Sequence, residues 1–398
     1  MDNKNIIINR QEKRMKKIGI ITIYDNNNYG NKLQNYATQE IIKSCNKFEV
    51  CTIKNKDINL NFVYKVKVKI KEIIKYCLKP IIKKLRPTIS FKTLDKNYKK
   101  STKLRLENFE KFDQLIDKTK KYEYMQKPNS KLNNEYDYFI AGSDQVWNPN
   151  FFNKPKNKIK PLFLLNFADD NKKISFAASF GISELPNEAE DEAKRAFNSF
   201  KAISVREEQG KKIIKNLTGR EDIEVLLDPS MLLTTKEWDK VAKKPSQIKS
   251  DRKFILNYFL GNLSASRKEQ INKIAKENDC YIINILDYKD PFYVCGPSEF
   301  LWLEKNAFLI CTDSFHSSVF AILYNKPFIV FDREQKGMNN MGSRIDTLLS
   351  KFQLEDRRYN GKEITKENLE HDYTNAYKIL EEEREKSKKF LEKALDIK

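Results

Sequence analysis

The sequence predicts an α/β protein built from two parallel-sheet domains. Short β-branched apolar runs alternate with stretches of helical spacing, and they do so on both sides of about residue 220. The length of 398 residues is enough for two domains, each with its own core. An apolar fraction of 40% with 12% aromatics excludes a disordered chain.

The first series opens with Lys17 to Tyr24 (KIGIITIY), a buried strand by its composition. Residues 26–31 (NNNYGN) read as a turn-rich loop, and Lys32 to Ser44 as a helix through Leu33, Tyr36, Ala37 and Ile41. Tyr136 to Ala141 is a strand running into Gly142-Ser143-Asp144. Lys173 to Ala177 is the next strand, followed by a helix from Glu188 to Phe200. Ala202 to Val205 is a short strand that ends at Arg206. In the second series, Glu224 to Leu227 ends at Asp228-Pro229, and Phe254 to Leu260 ends at Gly261-Asn262. A helix over Ser266 to Asn278 and the strand Tyr281 to Leu286 follow. Ala307 to Cys311 runs into Thr312 to His316, then a helix to Tyr324 and the strand Phe328 to Phe331. These elements place one domain at 16–220, a second at 221–357 and a helical tail at 358–398. Ligands of such sheets bind outside the carboxyl ends of the strands, so the chemistry is expected in the strand-end loops.

The charge of +20 is unevenly spread. Between Tyr64 and Arg105 there are 15 Lys or Arg against two acids, Glu72 and Asp95. Within this insertion Ile70, Ile73, Ile74, Cys77, Leu78, Ile81, Ile82 and Leu85 keep helical spacing, with lysines on the other face and Pro80 as a kink. A basic amphipathic helix suits an anionic membrane surface; packing on the domain with a solvated lysine face is the other reading. Interleaved aromatics for base stacking are missing, so no nucleic-acid partner is expected. Met1 to Lys17 has no apolar core of a signal peptide, and no run approaches the ~18 apolar residues of a membrane span. The expected location is cytoplasmic, at most peripheral on the inner face of the plasma membrane. The six cysteines form no C-x-x-C pair and neither histidine completes a zinc set, so no metal is expected.

Few residues carry proton or anion chemistry. His316 lies at a strand end in Thr312-Asp313-Ser314-Phe315-His316, with Asp313 close enough in sequence to orient it. Arg206, at a strand end that opens a helix, suits a carboxylate or phosphate; a surface ion pair to Glu207 or Glu208 is the alternative. Gly30 and Asn31 sit at the first strand-to-helix turn, where Gly admits close approach and Asn caps or holds a ligand. Asp144, Gln145, Trp147 and Asn148 form a polar cluster that either binds a sugar or is a turn whose Trp plugs the core.

NYGNKLQNYA, AGSDQVWNP, SFAASFG, ISVREEQG, LLDPSMLL, TDSFHSSVFAILYNKPFIVF and SRIDTLLSKFQLEDR follow one another over roughly residues 17–357. This order resembles the polysaccharide pyruvyl transferase family. The resemblance implies two Rossmann-like domains facing a cleft, as in GT-B glycosyltransferases, with phosphoenolpyruvate as co-substrate and no cofactor. The acceptor it implies is a sugar of a surface polysaccharide or of a polyprenyl-diphosphate-linked precursor, with pyruvate commonly added as a cyclic ketal. The family's S-V-R arginine falls on Arg206 and its second-domain histidine on His316. The arginine found two residues before that histidine is here Ser314, so Arg344 or Arg333 is expected to hold the donor's second anionic group. Asp144, Gln145, Trp147 and Asn148 then fall to the acceptor. The rival readings are a nucleotide-sugar glycosyltransferase on the same fold and a non-catalytic glycan-binding protein.

Overall fold

A computed structural model describes residues 14–25, 27–57, 95–150, 157–333 and 343–397. The amphipathic run predicted over Ile70–Leu85 lies outside the described residues; of the basic insertion, residues 95–105 are described.

The first sheet is parallel throughout. Its strands are β1 (Lys16–Ile21), β2 (Phe48–Thr52), β5 (Tyr138–Ala141) and β6 (Lys173–Ser175), in the order β2-β1-β5-β6. Bridges from Ile174 to Ala202 and from Ala178 to Val205 continue it to β7 (Ile203–Val205), which pairs with β8 (Ile223–Val225). A small parallel pair, β3 (Asn55–Lys56) and β4 (Glu123–Tyr124), stands apart from it. The second sheet, also parallel, runs β10 (Tyr281–Asn284), β9 (Phe254–Tyr258), β11 (Leu309–Thr312), β12 (Phe328–Val330). The predicted α/β class with two parallel sheets is what the chain forms. β8 departs from expectation: the sequence assigned this run to the second domain, yet it closes the edge of the first sheet.

Helices flank both sheets. α1 (Tyr29–Ser44) begins three residues earlier than its apolar spacing suggests, because the Asn28 side chain caps the Asn31 N–H. Gly30 and Asn31 thus lie in the first helical turn and not in a loop. α2 (Lys96–Asp113) packs Arg105, Phe109 and Phe112 inward and leaves Lys96, Lys99, Lys100 and Lys103 exposed. α3 (Asn187–Asn198) and α4 (Glu208–Thr218) complete the first unit; α5 (Thr235–Asp239), α6 (Ala265–Glu277), α7 (Pro297–Asn306), α8 (Phe315–Leu323) and α9 (Ser343–Phe352) belong to the second. α8 is buried at all nine positions, which makes it the central helix of the molecule.

The two units share one apolar core. Tyr29 at the start of α1 stacks on Phe300 of α7 with ring centroids 4.4 Å apart, and its hydroxyl donates to the Cys295 carbonyl at 2.7 Å. Arg105, 2% exposed, donates to the Asn27 side chain, the Tyr29 hydroxyl and the Tyr293 carbonyl, so one guanidinium touches both units. The tail forms α10 (Thr374–Ala394), which packs on both units. Its first half buries Ala376 and Leu380 against the second unit, and Leu391 and Ala394 enter the core of the first. Arg384 fastens its middle to the carbonyls of Met231 and Leu233. No helix among the described residues is long and apolar enough to cross a membrane.

Candidate active site

In each sheet the strand order reverses once, between β1 and β5 in the first and between β9 and β11 in the second. Loops leave such a point in opposite directions and open a crevice at the carboxyl ends of the strands. Tyr29–Asn31 follows β1, residues 142–148 follow β5, and residues 313–316 follow β11. These segments meet where the units face each other.

At their centre is a row of four ionisable groups. Arg206 donates from Nη1 to Asp228 Oδ2 at 2.6 Å and from Nη2 to Asp144 Oδ1 at 3.4 Å. His316 Nε2 lies 3.7 Å from the same Asp228 oxygen, beyond hydrogen-bond reach. Ser143 Oγ also donates to Asp228 Oδ2, and the Ser230 N–H and hydroxyl fill Oδ1. Burial alone would raise the Asp228 carboxyl, but His316, Arg206 and Ser230 outweigh it and hold it far below the usual carboxylate range. Burial also disfavours the Arg206 cation, and Asp228, Asp144 and Glu207 more than compensate. The buried pair is thus charged on both sides.

Gly30 is required by His316. A Cβ on Gly30 would stand 2.1 Å from the imidazole Nδ1. Gly30→Ala is therefore expected to displace the ring and cut turnover by roughly tenfold to 10²-fold with the fold intact, seen by steady-state assay beside circular dichroism. Asn31 donates from Nδ2 to Asp144 Oδ2. Gln145 lies over Gly181, where any side chain would collide with its amide. Ser314 occupies the N-cap position of α8 without a side-chain capping bond and is buried, with its N–H on Thr312 Oγ1.

Arg344, at the start of α9, is 8% exposed and reaches the site from the second unit. Both Arg206 and Arg344 lie over the Phe315 ring, at 4.4 and 6.0 Å from its centroid. Burial and the neighbouring Arg206 push the Arg344 pKa down to about 10, and its Nε has no hydrogen-bond partner. Arg333, the other expected substitute for position 314, is committed elsewhere. It pairs with Asp313 at 3.3 Å and crosses over Gly261.

Two expectations change. Asp313 does not orient His316: its carboxylate accepts the N–H groups of Leu260 and Gly261, both at 2.7 Å, and ties the ends of β9 and β11 together. Asp228 faces the imidazole instead, and sequence reasoning overlooked it, although a strand ending in Asp-Pro at a sheet edge was its visible signal. Trp147, open at first to either role, plugs the core. It is fully buried among Phe180, Phe197 and Phe200, with its indole N–H on the Phe163 carbonyl. Asn148 accepts the Asn150 N–H and shapes a turn.

The sequence profile described as polysaccharide pyruvyl transferase matches residues 28–335, which include every site segment from Gly30 to Arg333. The chain belongs to the polysaccharide pyruvyl transferase family. It is accordingly an enzyme, a transferase that modifies polysaccharide, and its acceptor is a saccharide. No curated protein matches the chain in sequence. Among solved structures, UDP-GlcNAc 2-epimerase from Neisseria meningitidis is similar at 10% identity and a TM-score of 0.42, covering 96% of this chain and 99% of that one. The UDP-GlcNAc 2-epimerase of Methanocaldococcus jannaschii gives 14%, 0.40, 92% and 98%, and MurG of Acinetobacter baumannii 10%, 0.38, 94% and 95%.

Proposed function

We propose that this pyruvyl transferase family member moves the pyruvyl group of phosphoenolpyruvate onto a sugar of a surface polysaccharide, or of its polyprenyl-diphosphate-linked precursor, as a ketal. One observation carries the reading. Of the eleven buried side-chain nitrogen and oxygen atoms without a hydrogen-bond partner among the described residues, six belong to this site: Asn31 Oδ1, Gln145 Nε2, Arg206 Nε, Glu207 Oε2, His316 Nε2 and Arg344 Nε. Buried polar atoms normally find partners, so such a concentration marks where a polar ligand belongs. Four are nitrogens, two of them on guanidinium groups, and suit an anion; the two oxygens suit hydroxyl donors.

Phosphoenolpyruvate brings a carboxylate and a phosphate on the same carbon, C2, of an enol. In this reading Arg344 and Arg206 hold the two anionic groups, with Arg344 supplying the cation absent at Ser314. Gly30 leaves room for His316, which protonates the methylene carbon, and Asn31 lines the cleft beside it. Asp144 and Gln145 face the acceptor. Docking on an anionic leaflet through 64–105 would bring a lipid-linked acceptor to this cleft, and the exposed lysines of α2 support it.

Phosphoenolpyruvate at 100 times its dissociation constant is expected to stabilise the wild type by about 2.7 kcal/mol. Arg344→Ala should abolish the corresponding rise in melting temperature while keeping the unliganded midpoint. A rise with nucleotide sugars and none with phosphoenolpyruvate would assign the site to glycosyl transfer.

A further inference from the structure

We infer that Asp144 is the base that takes the acceptor's hydroxyl proton, and that donor binding arms it. The inference rests on the pyruvyl-transfer reading and divides labour among groups that the reading leaves undivided.

The four ionisable groups form a row: Asp144, Arg206, Asp228, His316. The inner two side chains are 1% and 0% exposed, while the outer two keep 10% and 9%. A buried ion pair thus separates two groups that reach the cleft, one carboxylate and one imidazole. Asp228 is unsuited to be the base. Both its oxygens are filled by Arg206, Ser143 and Ser230, and its carboxyl is held far below the usual range. Glu207 is fully buried, and one of its oxygens accepts from Ser179, Phe180 and Gly181.

Both Asp144 oxygens also accept, Oδ2 from Asn31 and Oδ1 from the Gln145 N–H and Arg206, but its side chain reaches the cleft and that of Asp228 does not. The Asp144 contact with Arg206 is the long one, 3.4 Å against 2.6 Å to Asp228. An anion that spans the unpartnered Nε and the adjacent Nη2 of Arg206 therefore competes with Asp144, whose carboxylate stays in place through Asn31 and the Gln145 N–H. Until the donor binds, the base is occupied by Arg206. Binding is consequently ordered, with phosphoenolpyruvate before the saccharide.

The step balances as follows. The acceptor O–H bond breaks, its proton passes to Asp144, and the oxygen bonds to C2 of phosphoenolpyruvate. The C2–C3 π pair takes a proton from the His316 imidazolium and C3 becomes a methyl group. The bond from C2 to the bridging oxygen then breaks, the pair leaving on phosphate, which collects the proton from Asp144. The second hydroxyl bonds to C2 and gives its proton to the neutral imidazole. The products are the ketal and phosphate, with both residues restored.

Asp144 has a φ of 69°, a region Asn tolerates, so Asp144→Asn is the variant to test. Calorimetry with phosphoenolpyruvate is paired with phosphate release in the presence of methyl hexopyranosides, water being the acceptor in the blank. The variant should bind phosphoenolpyruvate at least as tightly as the wild type, since a negative charge beside the anion is gone. Its phosphate release should fall by roughly 10²–10⁴. Formate should restore part of the release in Asp144→Ala, which a structural role would not allow. Weakened donor binding in Asp144→Asn, or undiminished release, overturns the inference. Failure of the wild type to bind phosphoenolpyruvate, or binding without release under any condition, overturns the pyruvyl-transfer reading itself.

Discussion

His316→Gln is expected to lower turnover by roughly 10²–10⁴ and to leave the fold unchanged. α8 is secured by Val319, Phe320, Ile322 and Leu323, all at most 1% exposed and none touched by the substitution. The imidazole itself adds little to that packing: its Nε2 has no hydrogen-bond partner and its nearest charge is Asp228 at 3.7 Å. Glutamine fills similar space and cannot deliver a proton to carbon. The comparison needs kcat for both proteins and thermal melts beside it. Near wild-type turnover in a folded variant would remove His316 from proton transfer.

Asp228→Ala should instead act on stability, costing about 3–5 kcal/mol, because it leaves the Arg206 charge buried without its closest partner. Asp144 at 3.4 Å is a poor replacement, and the Ser230 hydroxyl loses its acceptor, while Ser143 keeps the Ala177 carbonyl. Urea unfolding at neutral pH gives the difference directly. The pH dependence has a definite sign. The Asp228 pKa is depressed in the folded protein, so the stability it contributes is complete above the unfolded-state value near 4 and is lost as pH falls below it. Over that acidic range the wild type should lose stability more steeply than Asp228→Ala. Equal slopes would mean that Asp228 does not carry this charge in the folded state.

The sheets were legible in the sequence because a buried parallel strand is a short β-branched run whatever surrounds it, as in Phe254–Tyr258. Strand membership was less so. Ile223–Val225 has the composition of either domain, and only its pairing with Ile203–Val205 assigns it. Within the site, Arg206 and His316 stood out at strand ends and Gly30 at the first strand-to-helix turn. Asp228 did not, since its importance comes from two partners 22 and 88 positions away. Asp313 misled for the opposite reason: proximity in sequence suggested a contact with His316, but its carboxylate turns toward the backbone of Leu260 and Gly261.

The helix α10 anchors in both units, and Tyr29 and Arg105 pin them together a second time. His316 and Arg344 ride on one half of the molecule and Arg206 and Asp144 on the other, with Asp228 in the segment that joins them. These fastenings act as the spine of a book, so rotation about them changes the separation of the two sets most at the open edge. Tyr29, Arg105 and the length of α10 thereby fix how far apart the two sets of site residues stand.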